Sequence, residues 1–439
     1  MVLGFLKQSQ SPIAIDFGYS SLKVLQVSPG DDPEVIAAAN VEIPESVRRD
    51  QAQRNEHLGD TLPGLLRDGG FRGKTAICNI PSWQTFVQHM RIPKSEGAGR
   101  DEAIKAELMN SVACNPEHVV IRHVEVGAVH AGQDIQTEII CFAIGRELVM
   151  NQVDLLRKCR LEVGGLHAEP LAVLRAFWHL YRRENDDQIT TMYVDIGSAC
   201  TKVMIAHGRT LVFTRTMPIG GRQFDQAVSQ HLHCDLPTAR IQRMHEASTF
   251  HGQLHGTSQG IPSAQVGALM AQTMSSSMNA EPGRPGDAPL SAGAAPPTHE
   301  PSAQDRRAGR SPREFHDMSS DDTPPPAADA PESIETGNLI QSALHDVRES
   351  LCEELRMCRR YHAGVHTQRM LDRLVVVGGE SRDSRLCATL AHAVGVQTYQ
   401  GDPLIRARLT DDSRLTGLES IRGVPEWAVA YGLSRCPAE

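Results

Sequence analysis

Two stretches of the chain, SPIAIDFGYSSLKVLQV at 11–27 and TTMYVDIGSACTKVMIAHG at 190–208, can be laid over each other without a gap. Asp16 then falls on Asp195, Gly18 on Gly197 and Lys23 on Lys202, an offset of 179 residues, 195 minus 16. In each, an apolar strand ends in Asp, a turn of small residues follows, and a second strand leaves through Lys. A carboxylate at the end of a buried strand is costly unless something pairs with it. One such Asp reads as a surface strand end. Two in matched settings predict two related halves that face one polar ligand, and internal similarity of this kind outranks any local reading.

The rest of the pattern is α/β. Strands are expected at Ile13–Asp16, Leu22–Val27, Val35–Ile43 and Thr75–Ile80, with a helix over His57–Asp68. WQTFVQHMRIP reads as a strand stopped by Pro93. A smaller α+β unit follows, from Pro93 to Gly165, with helices at GRDEAIKAELMNSV and ELVMNQVDLLRKCRL and strands at HVVIRHVEV and TEIICFAIG. The helix LAVLRAFWHLY returns the chain to the main body. The second half opens at Thr190.

Between His251 and about Thr336 the composition shifts to Pro, Ala, Ser and Gly, as in DDTPPPAADAPES. Such a segment cannot bury enough apolar surface to offset its ordering entropy, so a long disordered insertion is expected there. Order resumes with a helix whose stripe is Ile340, Leu344, Val347, Leu351, Leu355 and Cys358. LVVVGGES then gives a buried strand and a Gly-Gly turn. The division predicted is 1–11, an N-terminal segment; 12–92 with 166–189, the first half; 93–165, the small unit; and 190–250 with 337–439, the second half.

A net charge of −9 lacks the basic footprint of a nucleic-acid binder, and aromatics are only 4 % of residues. No apolar run approaches the roughly 18 residues of a membrane span, and no secretory leader is apparent, so a cytoplasmic protein is expected. The ten cysteines include no CxxC pair and read as small buried hydrophobes. His231, His233 and Cys234 in HLHCD lack a fourth ligand.

A phosphate cradle needs inward N–H groups, small residues and a cation. Gly18, Ser20, Ser21 and Lys23 offer these in the first hairpin; Gly197, Ser198, Thr201 and Lys202 offer them in the second. Asp16 and Asp195 sit where a hydrated Mg²⁺ would bridge phosphates, since hard cations take carboxylates and water. Gly378 and Gly379 end a strand where a base or ribose could lie on bare backbone. GxxxxGK[ST], GxGxxG and the kinase signature set are absent.

Hairpin, hairpin, then strand-Gly-Gly-helix is the layout of the actin-like ATPase superfamily. TMPIGGRQFDQAV, WQTFVQHMRIP, ELRMCRRYH and VGGESRDSRLCATLAHAVGVQTYQGDP narrow the resemblance to the type IV pilus assembly protein PilM family, a relative of the cell-division protein FtsA. The resemblance implies two duplicated halves with a small inserted subdomain, and ATP with Mg²⁺ held by Asp16, Gly18, Ser20, Ser21 and Lys23 on one side. Asp195, Gly197, Ser198 and Thr201 stand on the other, Gly220 and Gly221 line the cleft, and Gly378 and Gly379 meet the adenosine. It also implies a scaffold that docks the cytoplasmic tail of a PilN-like inner-membrane protein between the small unit and the first half. Phe86–Ile92 and Val119–Val126 are the strands placed to line that groove. Other pilus assembly proteins and further copies of the chain are the remaining partners it suggests. The chain departs from the family where AExxK becomes ARIQR, Ala239 to Arg243, and where GGGA becomes GGES. No water-positioning residue is legible, so weak ATPase activity stays open, as do a small-molecule kinase and an FtsA-like division or secretion-platform protein.

Overall fold

The structure, a computed structural model, describes residues 11–94, 96–112, 115–131, 134–257 and 330–437. Its first lobe starts with β1 (Ile13–Phe17), β2 (Ser21–Val27) and β3 (Val35–Glu42), then α1 (Glu45–Arg48), α2 (Gln51–Asp68) and β4 (Thr75–Ile80). α2 begins six residues before the expected His57 because Asp50 caps it, accepting from the Ala52 and Gln53 amides. The small unit follows: β5 (Phe86–Pro93), α3 (Ala98–Ser111), β6 (Val119–Ala131) and β7 (Asp134–Gly145). Then α4 (Arg146–Lys158), β8 (Glu162–Ala168) and α5 (Glu169–Ala176) complete the first lobe.

The second lobe holds β9 (Thr190–Ile196), β10 (Thr201–His207), β11 (Thr210–Met217), α6 (Gly221–Leu232), α7 (Leu236–Thr257), α8 (Ala330–Val365), β12 (Arg373–Val377), α9 (Ser384–Val394) and β13 (Gln397–Gln400). The chain ends through β14 (Arg414–Thr416) and α10 (Ala428–Ser434).

The two main sheets have one topology. The first runs β3-β2-β1-β4-β8 with β14 added at its edge, and the second runs β11-β10-β9-β12-β13. Each is a three-strand antiparallel meander whose first strand takes a parallel neighbour on its other side, and that neighbour takes one more. The duplication visible at the hairpins therefore extends over five strands per lobe.

Between the sheets lies a shared core. Ala14, Leu25 and Ile77 of the first sheet join Tyr193, Met204 and Val375 of the second, with α5 and α10 packed among them. α10 lies so close to α5 that a Cβ on Gly432 would overlap the Ala172 carbonyl. The tail thus returns to the first lobe: β14 pairs parallel with β3, and α10 packs on α5, β1 and β2.

The small unit is a sheet of order β5-β7-β6 under α3. β7 alternates: Ile139, Cys141 and Ala143 face α3 with Met90, Ile104 and Leu108, while Ile140 and Phe142 face the shared core. Its expected limits, Pro93 to Gly165, move at both ends. β5 pairs with β7 and belongs to this unit. Leu155 and Leu156 of α4 lie in the core of the first lobe, and β8 pairs with β4.

Of the segment read as a disordered insertion, helix covers its first residues up to Thr257 and its last from Ala330, while 258–329 lie outside the described residues, as do 1–10. Among the described residues no helix is long and apolar enough to cross a membrane.

Candidate nucleotide cleft

Strand register explains why each Asp comes with a Lys. In the first hairpin Asp16 of β1 lies directly opposite Lys23 of β2. In the second, Asp195 of β9 lies directly opposite Lys202 of β10. Facing residues of an antiparallel pair project to the same side, so a turn of fixed length delivers a cation to each carboxylate. The Lys202 Nζ is 2.7 Å from Asp195, and the Lys23 Nζ is 3.8 Å from Asp16 and 2.9 Å from the Ser21 hydroxyl.

The two hairpins face each other across a cleft of about 270 Å³. Asp16, Gly18, Ser20, Ser21 and Lys23 line one wall; Asp195, Gly197 and Ser198 line the other; Gly378 and Gly379 close one end. Three predicted residues stand behind the lining. Thr201 is fully buried and its hydroxyl donates to the Ile219 carbonyl. Gly220 packs under the second turn, where a Cβ would meet the Gly197 and Ser198 carbonyls, and Gly221 packs against the Glu380 carboxylate. Gly378 has φ +92°, and a Cβ there would meet Asp195 Oδ1 and the Ile196 backbone. Only glycine takes that conformation at such close range.

Sequence reasoning missed Glu169. It opens α5 and is buried, and its carboxylate accepts from Lys202 at 2.9 Å and from Asn79 Nδ2 at 2.7 Å. Asn79 in turn accepts from the Phe17 amide. Lys202 therefore joins carboxylates of both lobes. No motif signals Glu169; only the return of β8 beside β4 brings it to the cleft. Arg54 was missed too: from α2 it donates to the Gly18 and Tyr19 carbonyls and holds the first turn in shape.

Burial pushes the Asp16 carboxyl up to about 6, with Lys23 pulling it back and Glu169 adding to the rise. Burial alone would lower Lys202, but Asp195 and Glu169 outweigh it and hold the ammonium protonated well above its ordinary range. The donor set is thus three carboxylates, Asp16, Asp195 and Glu169, with the ammonium groups of Lys23 and Lys202 and bare backbone at Gly18, Gly197 and Gly378. That set fits a phosphate chain with a hard divalent cation, which takes carboxylate oxygens and water.

A family model described as Type IV pilus assembly protein PilM matches residues 14–248. The chain belongs to the PilM family. The solved PilM-PilN type IV pilus biogenesis complex matches at 18 % identity and a TM-score of 0.65, covering 97 % of each chain. The fold is accordingly the actin-like ATPase fold of two duplicated lobes. A looser likeness, with a TM-score of 0.44 and 11 % identity, is to the ethanolamine utilization protein EutJ from Carboxydothermus hydrogenoformans, over 97 % of this chain and 89 % of that one.

The two segments that the sequence reads as departures, ARIQR and GGES, are bonded to each other. Arg243, from ARIQR, lies 2.6 Å from Glu380, from GGES, and 2.7 Å from Asp225. Its side chain is 2 % exposed. Arg240, the other changed position, reaches across the mouth of the cleft to Glu42 of the first lobe at 2.8 Å. This end of the cleft is therefore built around arginine, with Glu380 held on the N-terminus of α6.

Proposed function

We propose that this PilM-family chain is an ATP-binding scaffold of the type IV pilus assembly machinery, and that it docks the tail of a PilN-like membrane protein. The observation that carries the nucleotide half is the pair of Asp–Lys hairpins in identical register facing one cleft. Asp16 and Asp195 would hold Mg²⁺ through water, and the cation would neutralise phosphate charge. The Ser20, Ser21, Gly197 and Ser198 turns would cradle the phosphates, with Lys23 as counter-charge. Gly378 and Gly379 would back the nucleoside. Both oxygens of Glu169 are engaged by Lys202 and Asn79, which makes it a poor proton acceptor. ATP is on this reading held to order the lobes, with slow turnover at most.

The docking half is supported by the small unit. β6 is an edge strand, and an unpaired edge can add a peptide strand. A groove of about 770 Å³ runs beside it, between Ile104 and Lys105 of α3, Val119–His123 of β6, and Val149 and Met150 of α4. It lies where the small unit meets the first lobe. β5, the other expected strand, packs against β11, where the His89 side chain bonds the Thr214 backbone.

Calorimetry tests both halves. Asp16→Ala and Asp195→Ala should each remove most Mg²⁺-dependent ATP binding; wild-type affinity in both variants would sink the nucleotide assignment. The PilN-like tail should bind at one per chain. Met150→Glu, on the exposed rim, should weaken it, and unchanged binding would move the peptide elsewhere.

A further inference from the structure

His207 ends β10, His362 lies in the last turn of α8, and His366 directly follows its last residue, its amide donating to the His362 carbonyl at 2.8 Å so that it completes one more turn. Spacing of i and i+4 puts two imidazoles on one helix face, and the end of β10 meets that face. Ligating nitrogens of the three rings lie within 4.8 Å of one another, with His207 Nε2 3.0 Å from His362 Nε2. His362 is 2 % exposed. Among the described residues no other group of three histidine, cysteine or acidic side chains converges in this way. The cluster is separate from the cleft: β10 carries Lys202 at one end and His207 at the other, about 17 Å apart at ~3.3 Å per residue.

Two neutral imidazoles in opposite tautomers satisfy each other with one N–H···N bond. That arrangement gives no reason for a third ring aimed at the same point. Burial and mutual proximity disfavour charge on each of the three rings. Burial, with His366 and Arg369 adding, pushes His207 down to about 3 and His362 down to about 4, and burial lowers His366 as well. Neutral imidazole is the form that ligates metals. Arg369 is an opposing charge nearby, while Glu138 of the small unit, itself buried, acts on His366 with the favourable sign.

We propose that His207, His362 and His366 form a binding site for one divalent transition-metal cation, with zinc the best fit. Three imidazole nitrogens with a fourth position left to water is a common zinc arrangement, and nitrogen donors favour such ions over Mg²⁺ or Ca²⁺. Tetrahedral ligation at about 2.0–2.1 Å places the nitrogens roughly 3.3 Å apart, within reach of small ring rotations from the separations here. The cation would tie β10 to α8 on the side where the small unit leans against the second lobe.

The test uses the full chain, purified without a histidine tag and stripped with chelator. Zn²⁺ titration by calorimetry should give one tight site per chain, and Co²⁺ should give the intense visible bands of four-coordinate geometry. His366→Gln and His207→Gln, at half-buried positions that the fold should tolerate, should each weaken Zn²⁺ by about a hundredfold, the upper end of what losing even an outer-shell partner costs. Both should leave ATP binding unchanged. His362→Gln is the more disruptive change and is read only with a circular dichroism melt beside it. Unchanged stoichiometric binding in both half-buried variants overturns the site, as does failure of the folded wild type to bind Zn²⁺ or Co²⁺ at all; a hydrogen-bonded histidine cluster is then what remains.

Discussion

Lys202 shows how much one side chain can decide. It is buried, and it stands between Asp195 of its own lobe and Glu169 of the other. Removing one member of a buried charge set leaves the rest uncompensated, at a cost of about 3–5 kcal/mol. Lys202→Met should destabilise by that order in urea unfolding, and adding Glu169→Gln should recover part of the loss. A loss below about 1 kcal/mol for the single variant would mean the two carboxylates are less dependent on it than their burial implies. Two other residues set opposite pH trends. Burial, with Arg406 adding, pushes His179 down to about 4. The unfolded chain then binds a proton below about pH 6.5 that the native state refuses, so this group's stabilisation is lost as pH falls from about 6.5 to 4. Asp16 has the reverse sign: its native carboxyl titrates near 6 and its unfolded one near 3.8, so the native state holds the extra proton and gains stability as pH falls through that window. Stability measured from pH 4 to 7 should therefore flatten by about one proton in His179→Gln and steepen by about one proton in Asp16→Asn. Equal slopes in all three proteins would remove both assignments.

At the scale of elements, what was legible is what leaves a local trace. β1, β2, β4 and the hairpin of β9 and β10 announce themselves as short, mostly apolar runs bounded by turns, and the Asp-to-Lys spacing is a register signal, since the two residues face each other. β8 left no such trace. EVGGLHA carries two glycines and sits at a sheet edge, where propensity is weakest. Its loss hid Glu169, which follows it directly. β14 and α10 pack on β3 and α5, partners so distant in sequence that no local pattern signals the contact. The histidine cluster has a sequence signal, the i, i+4 pair in YHAGVH, but its third member, His207, lies 155 residues away from His362 and is joined to it only by the fold. The α5–α10 contact yields its own prediction. With Gly432 against the Ala172 carbonyl, Gly432→Ala must push the helices apart, and overpacking of this kind costs about 1–3 kcal/mol or more. A melting temperature equal to wild type would show that α10 can shift without loss.

At the scale of the whole molecule, the cleft between the lobes suggests two independent folding units, but the packing argues otherwise. The buried residues between the sheets form one contiguous cluster that draws on both lobes, with Trp427 and Tyr193 among its large side chains. α5 and α10 fill it from the first lobe, and β9, β10 and β12 fill it from the second. Ion pairs also cross between the lobes, Lys202 with Glu169 inside and Arg240 with Glu42 at the mouth. Unfolding one sheet alone would expose the apolar face that the other has covered, at about 25 cal/mol for each Å² uncovered. The two lobes should therefore unfold together. Native-state amide exchange reports each lobe by itself: β1 for the first, β9 for the second. Their amides should exchange with the same free energy and the same denaturant dependence, as members of one cooperative unit. Saturating Mg²⁺-ATP should raise both by the same amount, because a ligand that binds only the assembled cleft stabilises whatever unfolds with it. If β9 opens at a markedly lower free energy than β1, or ATP protects one strand and leaves the other where it was, the lobes are separate units and the core between them is an interface.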